Sequence, residues 1–130
     1  MAKRCSSAFL DAALQFLEDN IDRISVCETE PTTYAEATSN KGAGGYKLGI
    51  SSTPTFTGPA GGDGGGYSRK TTIDQEASIP VDVSGDAQHV ALCKSGDSSL
   101  HYVTTCTLQA LTAGNTVTIP AWDIELGTVT

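Results

Sequence analysis

Four cysteines, two histidines and one glycine-dense loop are the places in this chain where chemistry could be done. Cys5, Cys27, Cys93 and Cys106 include no Cys-x-x-Cys pair, so the ligand spacing of a zinc knuckle is missing. Cys93 and Cys106 flank one turn, and in a simple hairpin closing near Gly96 and Asp97 they would not face each other. The expectation is four free, mostly buried thiols, with a Cys5–Cys27 disulfide as the open alternative. His89 and His101 flank the same turn. With a carboxylate they could hold zinc, but no third ligand is definite, and they read better as strand histidines. A nucleophilic Cys93 or Cys106 would need a histidine partner. His101 is near both in sequence, yet strand geometry gives no reason to pair them.

The loop Gly61-Gly-Asp-Gly-Gly-Gly-Tyr-Ser-Arg-Lys70, followed by Thr71, superficially matches a phosphate-binding turn. Such a turn needs a buried strand before it and a helix N-terminus after it. Here Pro54 and Pro59 precede it and a β-branched run follows, so the sequence predicts a surface loop or contact arm. Asp63, Asp86 and Asp97 lie in or near turns without the alternating-acid pattern of a calcium loop, and they read as turn aspartates. No serine sits in a Gly-x-Ser-x-Gly elbow. No catalytic, cofactor-binding or metal-binding residue is therefore assigned. The expectation is a protein that is not an enzyme and works through its surface.

The chain has 130 residues, read as a single domain (1–130), with 8 Lys and Arg against 15 Asp and Glu. A net charge of −7 argues against nucleic acid or an anionic membrane as partner, because both are bound through clustered bases. No apolar run reaches the length needed to span a bilayer. Lys3 and Arg4 could open a secretion signal, but Asp11 and Glu18 interrupt the apolar stretch behind them. That segment reads as a helix of a protein kept in a cytoplasm.

The elements that would position these residues are mostly strands. Ser6 or Ser7 can cap a helix running to about Asn20, within a 7–24 segment of helix and following turn. Leu10, Ala13, Leu14, Leu17, Ile21 and Ile24 recur at helical steps. Phe9 and Phe16 form a second apolar stripe, wide enough for the helix to cover a sheet and also touch a neighbouring subunit. Arg23–Cys27 reads as a strand, Tyr34–Ala37 as one helical turn, and 38–66 as a Gly-rich loop region in which Tyr46–Ile50 could be a strand. The β-rich core is placed at 67–126. It contains strand character at 69–79, an Ile79–Val83 strand set at an edge by Pro80, and a hairpin of His89–Cys93 with Leu100–Thr107. Thr116–Ile119 and Trp122–Leu126 complete it. If Leu92 pairs near Tyr102, then Val90, Leu92, Leu100 and Tyr102 share a core face. The fold class expected is mainly β, an antiparallel sandwich or barrel-like domain with one N-terminal α-helix.

Five stretches carry a resemblance. These are Leu10-Asp-Ala-Ala-Leu14, Pro31-Thr-Thr-Tyr-Ala-Glu-Ala-Thr38, Ser68-Arg-Lys-Thr-Thr-Ile73, Leu100-His-Tyr-Val-Thr-Thr-Cys-Thr107, and the run from Gln109 to Glu125. Together they resemble a family of small structural proteins of tailed-bacteriophage virions. The likeness covers nearly the whole chain and departs at 41–66, which is longer and richer in glycine here. It implies assembly in the host bacterial cytoplasm and a place in the virion. Decoration, or cementing, of the capsid exterior is the first role it suggests, with the major capsid protein as partner and a homo-oligomer (dimer or trimer) as the working form. A head–tail connector, neck or tail protein is the alternative. A glycan-binding module is a third reading, and would need an aromatic platform drawn from Trp122, Tyr34, Tyr46, Tyr67 and Tyr102.

Overall fold

The computed structural model describes residues 6–62 and 68–126. The chain is mainly β, the ladders between its described strands are antiparallel, and one main helix lies at its N-terminal end. The elements run α1 (Ser7–Asn20), β1 (Arg23–Cys27), α2 (Tyr34–Thr38), β2 (Lys47–Ser51), β3 (Phe56–Gly61), β4 (Arg69–Ile73) and β5 (Glu76–Pro80). They continue with β6 (Gly85–Lys94), β7 (Ser99–Leu111), β8 (Thr116–Ile119) and β9 (Trp122–Leu126). Residues gather into two compact units.

The first unit holds α1 as far as Asp19, together with a three-stranded sheet in the order β3-β4-β9. Ser6 caps α1, accepting a hydrogen bond from the Phe9 amide at 3.2 Å, which satisfies one of the amides a helix start leaves open. Leu10 and Leu14 are the buried residues of α1. On β4, Thr71 and Ile73 are buried, and on β9 Ile124 is buried between exposed Asp123 and Glu125. That alternation is the half-buried pattern expected for Trp122–Leu126. Strand β3 carries one extra residue opposite β4 between Thr57 and Ala60. Gly58 sits there at φ +123, a conformation that side chains disfavour.

The second unit contains a four-stranded sheet in the order β2-β1-β6-β7 and a two-stranded sheet of β5 with β8. Its long hairpin, β6–β7, pairs Leu92 with Tyr102 as the sequence suggested. Leu100 does not join them on that face. The register slips by one residue between Leu92 and Cys93, so Leu100 stands opposite Cys93 and packs on a cluster of Ala37, Ala91 and Cys93. A slip of one residue reverses the face on which a strand residue lies. Helix α2 is capped by Thr33, whose hydroxyl accepts from the Glu36 amide at 3.1 Å, and it supplies Ala37 and Tyr34 to the same cluster. Pro80 ends β5, which pairs with β8 alone among the described strands, the edge placement its proline requires.

The 38–66 segment contains more structure than a loop region would. β2 pairs with β1 over its length, and β3 runs to Gly61 opposite Arg69, with the Gly62 amide donating to the Ser68 carbonyl at 2.9 Å. Glycine there serves close backbone approach. A Cβ on Gly49 would lie 2.7 Å from the Pro80 carbonyl oxygen, beside the Gly49–Val81 bridge. The remainder of the Gly-rich run, 63–67, lies outside the described residues, as do Cys5 and Asp63. Among the described strands no sheet closes into a barrel.

Candidate functional site

Among the described residues the sulfur and imidazole groups do not assemble into a reactive site. Cys27, Cys93 and Cys106 are free thiols of the second unit, and the first two are buried. Cys27 on β1 stands across from His89 on β6, which in turn pairs with Thr105 on β7. Its Sγ donates to the Ala37 carbonyl at 3.8 Å and lies 3.8 Å from Ser25 Oγ. Burial pushes the Cys27 thiol up to about 11 and the Cys93 thiol up to about 12, and it raises Cys106 as well. A thiol so shifted stays protonated near neutral pH, and the protonated form is a poor nucleophile. His89 and His101 share the β6–β7 hairpin but not a row. His89 faces Thr105, whereas His101 is the extra residue at the register slip beside Leu92. No three His, Cys, Asp or Glu side chains of the described residues converge into a metal-ligating group.

Lys70 and Thr71 lie inside β4, the middle strand of its sheet, and not at a helix start. Lys70 pairs with Asp123 at 3.4 Å. The buried Thr71 hydroxyl donates toward Glu18 at 3.3 Å and the Thr57 carbonyl at 3.4 Å. No anion cradle is formed by this pair. Asp86 is exposed on β6, and Asp97 in the following turn lies 4.0 Å from Lys94.

Every lysine and arginine among the described residues has a carboxylate partner: Arg23 with Asp22, Lys41 with Glu28, Lys47 with Asp82, Arg69 with Asp11, Lys70 with Asp123 and Lys94 with Asp97. Arg69 grips Asp11 with two parallel bonds, from Nε at 2.7 Å and from Nη2 at 3.1 Å, which ties β4 to α1. Lys47 is itself buried against Asp82. On the outer side of the three-stranded sheet, carboxylates are held by hydroxyls. Thr55 and Thr57 donate to Asp74 at 2.9 and 2.7 Å, and Thr72 donates to Asp123 at 2.7 Å. The Thr72 bond, with Lys70 beside it, holds the Asp123 carboxyl below its usual range.

What the surface offers instead is uncovered apolar area. On α1, Phe9 is 68% exposed and Phe16 is 48% exposed, two helical turns apart on one side with exposed Ala12 and Ala13 between them. On β7, Leu108 is 58% exposed. A shallow groove of about 380 Å³ runs beside the end of β7 and β8, lined by Val81, Gln109, Leu111, Asn115 and Thr118 among others, with no ionisable side chain in its wall. Sequence reasoning identified the Phe9–Phe16 stripe but not its exposure, and it did not find the groove, which forms where the 109–118 stretch meets Val81. Comparison with family profiles, with characterised proteins and with solved structures gives no match to this chain.

Proposed function

We propose that this chain is a structural protein of a tailed-bacteriophage virion, a capsid decoration protein that binds the major capsid protein on the outer shell as a homo-oligomer. The setting rests on the resemblance of the Leu100–Thr107 and Gln109–Glu125 stretches to that family. The structural observation that carries the role is the aromatic pair on α1. Single exposed apolar residues are ordinary, but two phenylalanines flanking two alanines along one helix make the kind of patch through which proteins dock. Phenylalanine is among the side chains enriched in the buried centres of such interfaces. Asp19, held by Gln15 at 3.0 Å, borders the stripe, and α1 contains no base, so a partner surface with a basic rim complements it. A glycan-binding surface would call for exposed rings on a platform. Tyr34 instead packs on the Ala37 cluster, and Trp122 is only partly exposed within β9.

The test is the copy number of the chain in purified virions, measured by quantitative mass spectrometry against the major capsid protein. Hundreds of copies in a simple ratio to the shell subunit support decoration. A dozen or so copies place the chain at the neck or tail and overturn decoration, and absence from the particle overturns the virion reading as well.

A further inference from the structure

We infer that the free edge of β7 is a self-association surface, and that two copies of this chain join there by antiparallel pairing of their β7 strands about a two-fold axis. Strand β7 is the longest of the nine described strands, and it ends the four-stranded sheet, where only β6 among them is bonded to it. Its thirteen residues, SLHYVTTCTLQAL, include no Lys, Arg, Asp or Glu and no proline. Edge strands of monomeric proteins are commonly guarded by charges, by proline or by a covering element, because their open amides and carbonyls invite another strand. Here the one such device among the described residues is a bulge over Thr105–Gln109, and Thr105, Thr107, Leu108, Gln109 and Ala110 are all exposed.

Charge selects a second copy as the occupant. Two molecules that each carry −7 repel wherever their acids meet, and β7 offers a long contact with no acid, lysine or arginine on either partner. An antiparallel pair of identical strands is self-complementary by symmetry. Threonines and β-branched neighbours set opposite one another form favourable cross-strand pairs, and no register of β7 against itself opposes two carboxylates. The register shift between Ala87 and His89 leaves two more residues on β7 than on β6 over Thr105–Gln109. It is a bulge of the kind that blunts an edge, and it confines regular pairing to the segments on either side. The exposed Leu108 within it is then covered by the partner strand. This inference deepens the homo-oligomer of the proposed function, but its test needs no virion, so the two fail separately.

The experiment is multi-angle light scattering on the full chain over a concentration series, with Leu108→Lys and Thr107→Lys as variants and circular dichroism and thermal melting as fold controls. The expected result is a dimer for the parent and monomers for both variants, with melting unchanged within a few degrees. A monomeric parent, a trimer, or a dimer that survives both lysines overturns the inference. Hydrogen exchange on the parent gives a second measurement that requires no variant. Amides of β7 on either side of the bulge, in 99–104 and 109–111, should gain protection, at least tenfold in rate, as concentration rises through the monomer–dimer transition. Exchange there that is indifferent to concentration overturns the proposal.

Discussion

Asp22 holds Ser95 with both carboxylate oxygens. The Ser95 amide donates to Oδ1 at 2.8 Å and the Ser95 hydroxyl to Oδ2 at 2.6 Å, while the Asp22 amide donates to the Cys93 carbonyl at 3.0 Å. The residue before β1 thereby fastens the turn that joins β6 to β7. The Ser95 hydroxyl bond is the largest influence on Asp22, with its backbone bond and Arg23 adding to it, and together they hold the carboxyl below its usual value of 3.8.

The clamp predicts an acid-dependent stability difference. A carboxyl depressed by folding contributes fully above its unfolded value and loses that contribution as pH falls through its folded one. Asp22→Asn should therefore destabilise the protein by about 1 kcal/mol at pH 7. The gap should close as pH drops below 3.8. Urea midpoints of the two proteins at pH 7 and at pH 2.5–3 would check this, and a gap that stays constant with pH would assign the effect to packing.

The buried thiols make a prediction of opposite sign. Cys27 and Cys93 titrate near 11 and 12 in the fold against 9.0 when free, so stability that depends on their neutral form is complete below about pH 9 and is lost as pH rises through 11 to 12. At pH 8 a thiol reagent should modify Cys27 and Cys93 at least a hundredfold more slowly in the native protein than in 6 M guanidinium, with Cys106 reacting first among the three. Peptide mapping of the labelled protein reads the order, and rapid native labelling of Cys93 would contradict its burial.

Two glycines separate close packing from mere turn composition. A methyl on Gly49 meets the Pro80 carbonyl at 2.7 Å, a backbone atom that cannot swing away, whereas one on Gly96 finds nothing nearer than the end of the Lys94 chain at 3.8 Å. Gly49→Ala should cost about 1–3 kcal/mol. Gly96→Ala should fall within about 0.5 kcal/mol of the parent. Thermal unfolding of both variants distinguishes them, and equal melting temperatures would count against the approach of β2 to Pro80.

On the proposed function, Phe9→Asp and Phe16→Asp should each weaken attachment to purified shells about tenfold or more, with melting temperature preserved for Phe9→Asp, whose ring is the more exposed of the two. Co-sedimentation with shells lacking the native chain reads the loss. Undiminished attachment in the double variant would move the docking surface off this helix.

Much of the fold was legible because its signals are local. The Ser6 cap and the Leu10–Leu14 spacing marked α1, the Tyr34–Ala37 stretch marked α2, and the alternation of Trp122, Ile124 and Leu126 marked β9. The hairpin around Ser95–Ser99 followed from its turn composition, and Leu92 opposite Tyr102, considered there as a condition, is its register. The face of Leu100 did not, because a one-residue register slip leaves no mark in residue type. Strand β3 was hidden for a related reason. Phe56-Thr-Gly-Pro-Ala-Gly61 has poor strand composition and is held by its pairing with β4. The candidate surfaces were less legible still. Phe9 and Leu108 look like core residues by type, and only tertiary placement leaves them uncovered.

The pairing of all six described lysines and arginines with carboxylates has a colloidal consequence. No lone cation is left among them to bridge one molecule to the next, so the surplus acids set the long-range force between copies. The osmotic second virial coefficient should be strongly positive in dilute buffer near neutral pH. It should fall with added salt as the Debye length shortens, and fall again as the carboxylates take up protons in acid. Self-association and solubility would then respond to salt in opposite directions, with modest ionic strength favouring the discrete oligomer and acid favouring the precipitate.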